Sequence, residues 1–405
     1  MTFCINTYKS LRYANSGTAM FCCKSANSLL DEHNKDINLK THSMLDALTS
    51  KTAIAIRNDL DNNIRHANCK KCWDEEDAGI ASKRILDNAR AVEYWGQDYL
   101  EDKKLEPNII ELNLGTTCNL KCRICGPWSS SKWVKEHYDL RMPEKNKNSH
   151  KNYMTLVDYW SGDWSDESTV WEHIEQDFHL FKELDFYGGE PFLVKKNWEL
   201  LKKMIDKGYA KDQILHFNTN VTIFNEEYAN LLKEFKFVRI SLSIDDIKER
   251  FEYERHPSNW SEIHDNIQKF LKLQADYPNI EINACLTTNI FNVYYIDELI
   301  NYLVENKLYS YYVNILHSPN YYNVKHIGED TKEKLTAHLS NIIEKFTRDY
   351  DKESVQKIIN FMNSEKADEV VWKEFLSYTK LTDEYRSENF AETFKEWSEM
   401  INENN

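Results

Sequence analysis

From about residue 109 the chain alternates short apolar runs with longer stretches in which apolar side chains return every three or four positions. This alternation predicts strands joined by crossover helices. The short runs predict strands over 109–114, 184–187, 214–218, 238–244, 280–287 and 311–316. Between them Trp198, Leu201 and Ile205 fall on one helical stripe, as do Ile263, Ile267, Phe270 and Leu271, and later Ile296, Leu299, Ile300 and Leu303. Asn225 suits the N-cap of a helix running to about Phe235, although Tyr228 does not complete a capping box. Beyond about 330 two more stripes follow, Leu339, Ile342, Ile343 and Phe346, then Val371, Phe375 and Tyr378. Ahead of the first strand, Leu45, Leu48 and Ile56 also read as helical.

Six strands each adjoining a helix predict an α/β fold, a partial (β/α)6 TIM-like barrel two units short of a closed eight-fold ring and open on one side. Along the chain this gives an N-terminal cysteine-bearing region at 1–105, the barrel core at 106–320 with an insertion at about 126–183, and a helical C-terminal extension at 321–405. The insertion carries Trp128, Trp133, Trp160, Trp164 and Trp171 among polar residues. Long insertions at strand ends often carry substrate contacts, and tryptophans equally anchor an insertion to its barrel; both readings stand.

The chain has 405 residues, enough for one large domain or two unequal ones, with Lys+Arg 51 against Asp+Glu 66 and a net charge of −15. That balance disfavours broad electrostatic capture of nucleic acid or an anionic membrane. No stretch approaches the roughly 20 apolar residues that span a bilayer, and the first thirty residues lack the apolar core of a secretion signal. A cytoplasmic location is expected. Nine cysteines are many for such a protein, and they cluster. Cys4, Cys22, Cys23, Cys69 and Cys72 precede the barrel, Cys118, Cys122 and Cys125 form one tight group, and Cys285 stands alone.

The tight group, CxxxCxxC within GTTCNLKCRICGP, follows the first barrel strand directly. Three thiolates on one loop can hold three irons of a [4Fe-4S] cube and leave the fourth open to a small chelating molecule. Zinc is the competing reading, but structural zinc normally takes four protein ligands and no fourth is nearby in sequence.

In this spacing and strand context the chain resembles the radical SAM superfamily. The resemblance implies that Cys118, Cys122 and Cys125 hold a [4Fe-4S] cluster whose open iron chelates S-adenosylmethionine. Reductive cleavage to a 5′-deoxyadenosyl radical and hydrogen abstraction from a substrate would follow, fed by a protein reductant such as a flavodoxin or ferredoxin. The second strand closes on FYGGEPF, similar to the family's turn that meets the methionyl ammonium, with Gly188, Gly189 and Glu190 in the cofactor-binding positions. The third strand ends HFNTN, so Asn218 and Asn220 are implied to orient cofactor, with Val221 where glycine is common. On the fourth, SLSIDD, Ser243 and Asp245 match cofactor-contacting positions, and Arg255 in YERHP resembles an arginine that pairs with the cofactor carboxylate. Ile124 takes a place where an aromatic is frequent, so adenine packing there is expected to be aliphatic.

Cys4, Gly17, Cys22 and the CxxC pair Cys69 and Cys72 resemble the first half of the SPASM/twitch auxiliary-cluster pattern, placed before the barrel rather than after it. This implies a second, auxiliary [4Fe-4S] cluster; a zinc knuckle suits the same ligand count, and Cys23 beside Cys22 leaves the ligand ambiguous by one residue. Glu76, Gly79 and Arg84 are expected to pack and pair rather than to catalyse. Cys285, sharing a strand face with Glu281, Asn283 and Thr287, could donate a hydrogen atom or proton to a substrate radical, and otherwise serves as a small hydrophobe. His216, His256 and His317 near strand ends are further acid or base candidates. A peptide or protein substrate is the favoured expectation, although no leader-peptide-binding domain is recognisable ahead of the cysteine region. A small polar metabolite comes second, and a non-catalytic zinc-bound binding module is the alternative from another class.

Overall fold

The computed structural model describes residues 2–77, 81–141, 153–157 and 164–402; Gly79 and Trp160 therefore lie outside the described residues. The described strands are β1 (Ser10–Tyr13), β2 (Ala19–Met20), β3 (Ile109–Asn113), β4 (Glu183–Tyr187), β5 (Ile214–Thr219), β6 (Phe237–Ser243), β7 (Ile280–Thr288) and β8 (Tyr311–Ile315). From β3 onward strands and helices alternate as the hydrophobic pattern requires, with strand limits within two residues of those expected. The helices Lys195–Asp206, Trp260–Asp276 and Ile296–Glu305 carry the three apolar stripes, and the helix after Asn225 ends earlier than expected, spanning Glu226–Leu232.

Contacts divide the chain into two compact units: Met1–Thr117 with Val157–Phe217 and Glu226–Arg239, and Cys118–Leu156 with Asn218–Asn225 and Ile240–Asn405. These limits do not follow the 1–105, 106–320 and 321–405 segments drawn from sequence. In the first unit β1 pairs in parallel with β3, β3 with β4 and β4 with β5, while the short β2 runs antiparallel to β1. The N-terminal region thus adds two strands to the sheet, which sequence reading missed because β1 and β2 are only four and two residues long. Strands that short leave no readable alternation.

Strand register sorts this sheet's side chains onto two faces. One carries Leu11, Ile110, Leu184 and Leu215 in one row and Leu112, Phe186 and Phe217 in the next. The Phe217 ring stacks on Phe186 with centroids 4.7 Å apart, Trp198 lies parallel to Phe217 at 5.7 Å, and Tyr228 stacks on Trp198 at 3.8 Å. Each ring buried here removes apolar area worth about 1.5–3 kcal/mol. The other face places Arg12, Glu111, Asp185 and His216 side by side across four strands. The helix Lys83–Trp95 meets that charged row: Lys83 Nζ lies 3.4 Å from Glu111, and Arg90 lies 3.0 Å from Glu183 and 3.5 Å from Asp87.

In the second unit β7 and β8 pair in parallel, with Cys285 opposite Tyr312. The C-terminal extension is helical as expected, in the segments Glu329–Lys345, Asp349–Met362, Glu369–Arg386, Phe390–Thr393 and Lys395–Asn402. Phe291 gathers the aromatic core here, with Tyr322 at 4.9 Å, Tyr253 at 5.6 Å, Phe375 at 5.7 Å and Phe390 at 5.9 Å.

Arg90 offers the sharpest test of the charged face. Arg90→Met would strand the Glu183 carboxylate, whose side chain is 2 % exposed, and leave Asp87 with Lys83 as its cationic partner. Uncompensated burial of a charge costs about 3 kcal/mol or more. The variant should therefore show a lower denaturant midpoint at unchanged slope. A change below about 1 kcal/mol would mean the row is solvated like a surface pair.

Candidate functional site

The loop that carries Cys118, Cys122 and Cys125 belongs to the second unit and contains neither helix nor strand, so its backbone groups need partners from elsewhere. It finds them. Lys121 N–H donates to the His256 carbonyl at 2.6 Å and Arg123 N–H to the Glu254 carbonyl at 2.7 Å. Trp133 Nε1 donates to the Cys122 carbonyl at 3.0 Å, Ser130 Oγ to the Leu120 carbonyl at 2.5 Å, and Cys125 N–H to the Cys122 carbonyl at 2.9 Å. Leu120 N–H points at Cys118 Sγ from 3.4 Å, and Asn220 Nδ2 from 3.8 Å.

Of the expected cofactor residues in this unit, Asn220 and Arg255 lie against the same loop. Asn220 also bonds Asn119 Oδ1 at 3.0 Å. Arg255, buried, lies 2.6 Å from Asp245 Oδ2, while Asp245 Oδ1 accepts from Thr287 N–H at 2.9 Å. Arg255 thus has a carboxylate partner within the protein, yet its Nε is buried with no hydrogen-bond partner, as is Asn218 Oδ1. An unpaired buried donor and acceptor are costly and suit a ligand that offers both an acceptor and a donor. Ser243 closes β6, and Ile124 is half-buried between the thiols.

Burial pushes the Cys122 thiol well up, against the pull of Arg255, with the other two cysteines adding to the rise; Cys125 is pushed up to about 12, again mainly by burial. Such thiols stay protonated at neutral pH unless a metal takes the proton's place. Cys285 rises to about 11 through burial and is bonded to Tyr312 and Thr287, within reach of Asp245 and Arg255. Among the described residues no three His, Cys, Asp or Glu crowd together as a single ion would require.

Val221 holds the position after Asn220 in the left-handed region, at φ 66°, although its β-branched side chain disfavours it. Its N–H is taken by Thr219 Oγ1 at 3.2 Å and its carbonyl by Asn266 Nδ2 at 2.9 Å. The sequence departs from glycine here and the backbone does not. Among the insertion's described tryptophans, Trp133 and Trp164 are buried anchors and Trp171 donates to the Ser165 carbonyl, while Trp128 is 46 % exposed with its ring against Gly126.

The GGEP turn and the amino-terminal cysteines belong to the first unit. Gly188 and Gly189 both have positive φ, 80° and 52°, and a Cβ on Gly189 would come within 2.2 Å of the Thr117 carbonyl oxygen, immediately ahead of Cys118. Glu190 N–H donates to that same carbonyl at 2.8 Å. The Glu190 side chain is fully buried and accepts from Phe192 N–H at 3.0 Å, capping the turn that follows.

Cys22 and Cys69 act on Cys4, and Cys22 and Cys72 act on Cys69, raising the proton affinity of Cys4 and Cys69 behind the larger effect of burial. Two bonds to Asn68, from Ala26 N–H to its carbonyl and from Asn27 N–H to its Oδ1, tie the two cysteine segments together. Cys23, like Cys22, feels Glu111 and Lys83, but Cys23 is not among the groups acting on Cys4 or Cys69. Glu76 and Arg84 form a two-pronged ion pair at 2.7 and 3.0 Å, as expected.

Beyond these, sequence reading missed Glu111, Glu183 and Asp185. The signal was present as Glu111 within the apolar IIELN and as acids two apart in ELDFY, where strand alternation puts Glu183 and Asp185 on one face. Burial holds Asp185 well above the usual carboxylate range, with Glu183 adding to it, and drives His216 down to about 3, helped by Arg239, Arg90 and Lys83. His216 lies 3.2 Å from the Tyr187 hydroxyl and is neutral at physiological pH. His256 sits 2.6 Å from Glu388 Oε1, and His317 packs edge-on against Phe361.

Residues 112–280 match the model of the Radical SAM superfamily, which places an enzyme domain over that stretch. Solved structures similar to the chain include anSMEcpe with bound AdoMet, at 18% identity and a TM-score of 0.38 over 58% of this chain and 59% of that one. SuiB of Streptococcus suis bound to precursor peptide SuiA is similar at 15% identity and a TM-score of 0.34, over 76% of this chain and 66% of that one. The chain thus spans less than two thirds of either protein's length. No curated protein matches it. No described helix is long and apolar enough to cross a membrane.

Two substitutions test the local geometry. Gly189→Ala should destabilise the chain by roughly 3 kcal/mol, since the new methyl meets rigid backbone at a positive φ; an unchanged thermal midpoint would show that the turn shifts freely. Val221→Gly should be more stable than Val221→Ala by about 1 kcal/mol in chemical unfolding, because both lose the buried isopropyl group and only glycine is unstrained there.

Proposed function

We propose that the chain is a radical S-adenosylmethionine enzyme whose active site lies at the Cys118, Cys122 and Cys125 loop. The observation that carries this reading is the loop itself: three thiols, two of them, Cys122 and Cys125, with proton affinity raised by burial, backbone held at both neighbours of Cys122, and a buried unpaired Nε on Arg255, whose charge acts on Cys122. The match of residues 112–280 to the Radical SAM superfamily supports it. The three thiolates would hold a [4Fe-4S] cluster, and the fold would be a partial (β/α)6 barrel. Bound there, the cluster and S-adenosylmethionine supply reductive cleavage of the sulfonium and hydrogen-atom removal from a substrate.

The chain's own residues bind and orient. Gly188 and Gly189 let a ligand's ammonium approach backbone carbonyls, with Glu190 shaping the turn. Arg255, fixed by Asp245, offers its free Nε to a carboxylate, while Asn218, Asn220 and Ser243 supply further polar contacts and Ile124 an apolar one. Cys285, bonded to Tyr312, is the group best set to return a hydrogen atom or a proton to the substrate. Cys4, Cys22, Cys69 and Cys72 would ligate an auxiliary [4Fe-4S] cluster, with Cys22 the ligand rather than Cys23. We favour a peptide substrate over a small polar metabolite on the twitch-like cysteine pattern, a flavodoxin or ferredoxin as electron donor, and the cytoplasm as location.

Anaerobic reconstitution should give about eight irons per chain if both clusters form. Dithionite with S-adenosylmethionine should then release 5′-deoxyadenosine. Alanine at Cys118, Cys122 or Cys125 should abolish that release, whereas alanine at Cys69 or Cys72 should spare it and impair substrate turnover. Stoichiometric zinc in protein purified without oxygen, together with no 5′-deoxyadenosine, would favour the zinc-bound binding module instead.

A further inference from the structure

The cluster loop carries two cations interleaved with its cysteines, Lys121 and Arg123 on either side of Cys122. Neither is a surface charge left to solvent. Arg123 has no exposed side chain and lies with its guanidinium 3.6 Å from the Tyr253 ring centre. Its Nη2 meets Asp383 Oδ1 and, at 2.5 Å, Glu388 Oε2. Lys121 Nζ meets Glu136 Oε2 at 2.6 Å; Arg386 closes the set, with Nε 2.8 Å from Glu136 Oε1 and Nη2 2.7 Å from the Lys121 carbonyl.

Three of these partners come from one short stretch, the end of the helix Glu369–Arg386 and the residues just after it. The stretch is shaped to present them together. Ser387 takes a left-handed turn at φ 56°, and Glu388 N–H bonds back to the Asp383 carbonyl at 3.0 Å, so Asp383 and Glu388 converge on one guanidinium. Asp383 is itself fixed by the Tyr253 hydroxyl at 2.7 Å and Phe390 N–H at 2.7 Å. Glu388 also reaches His256, at 2.6 Å, whose carbonyl receives Lys121 N–H. One carboxylate therefore braces the loop and the segment that cradles it. Charge-assisted bonds from a fully desolvated guanidinium are far stronger than surface pairs.

We propose that Asp383 and Glu388 are positioning residues of the metal centre: by gripping Arg123 they fix where the Cys122 thiol stands and set the charge felt by whatever the three thiols hold. The inference rests on the cluster reading for its electronic part and on geometry alone for its mechanical part. Metal ligands are oriented and tuned by groups that do not touch the metal. Lys121, Arg123 and Arg386 against Glu136, Asp383 and Glu388 balance to zero, and removing Asp383 or Glu388 tips the set one unit positive, which favours the reduced form of an iron-sulfur cluster.

The experiment uses the full chain with Glu388→Gln, Asp383→Asn, Arg123→Met and, as a control on the same helix, Glu374→Gln, whose carboxylate is 44 % exposed in a surface pair with Arg141. In metal-free protein, iodoacetamide labelling followed by peptide mapping should modify Cys122 about ten-fold faster in the Glu388→Gln and Asp383→Asn chains, through easier local opening. Cys285 and the control variant should be unchanged. In reconstituted protein the cluster potential should move positive for Glu388→Gln and Asp383→Asn and negative for Arg123→Met. Equal acceleration at every cysteine would mean general unfolding and would overturn the proposal, as would unchanged labelling or potential shifts that do not reverse sign. A wild-type chain that forms no cluster would strike the functional reading alone, and the labelling result would still decide the mechanical part.

Discussion

An irregular loop cannot satisfy its own backbone, and every feature around Cys118, Cys122 and Cys125 answers that constraint. The two amides flanking Cys122 are taken by carbonyls of residues 254 and 256, and the Cys122 carbonyl by an indole, so the thiol is placed by its neighbours' bonds rather than by any regular element. Segment 254–256 is itself anchored: Arg255 to Asp245 and His256 to Glu388. Glu254 is buried and its Oε2 accepts from Asn289 and Asn292, holding a carboxyl that burial keeps well above its usual range. The arrangement concentrates desolvated polar groups around three thiols, which is tolerable only where nearly every group is paired. Those without a hydrogen-bond partner include Arg255 Nε and Asn218 Oδ1, and also Arg123 Nε and Nη1 and Glu254 Oε1.

The first unit solves a different problem. Its sheet separates cleanly into an apolar face, closed by Phe186, Phe217 and Trp198, and a charged face on which Arg12, Glu111, Asp185 and His216 run in register. Charge on a buried face is expensive, and here it is offset by Lys83 and Arg90 from a helix of the N-terminal region. The same region supplies β1, the parallel partner of β3, with β2 on its outer side.

Much of this was legible in the sequence, for identifiable reasons. Strands β3 to β8 announce themselves because each is a short apolar run between amphipathic helices, and CxxxCxxC with GGEP behind it is dense in residues that few other roles require. The turn after Asn220 was legible only as a departure, valine in a glycine's place; that the backbone keeps the left-handed geometry regardless is a tertiary effect, imposed by Thr219 and Asn266. The pairing of β1 with β3 was illegible because a four-residue strand leaves no readable alternation and its partner lies roughly 100 positions on; the grip of Asp383 and Glu388 on Arg123 was illegible because it joins residues roughly 260 positions apart through charges that look like ordinary surface polarity. Arg255 was expected to face a cofactor; its bond to Asp245 adds a partner that spacing alone does not reveal.

Electron paramagnetic resonance of the anaerobically reconstituted, dithionite-reduced chain, recorded before and after S-adenosylmethionine is added, bears most directly on the loop's chemistry. A reduced [4Fe-4S] signal whose g-values change on addition, and do so in the Cys69→Ala chain as well, is the expected result. A signal indifferent to S-adenosylmethionine, or one that depends only on the amino-terminal cysteines, would contradict it.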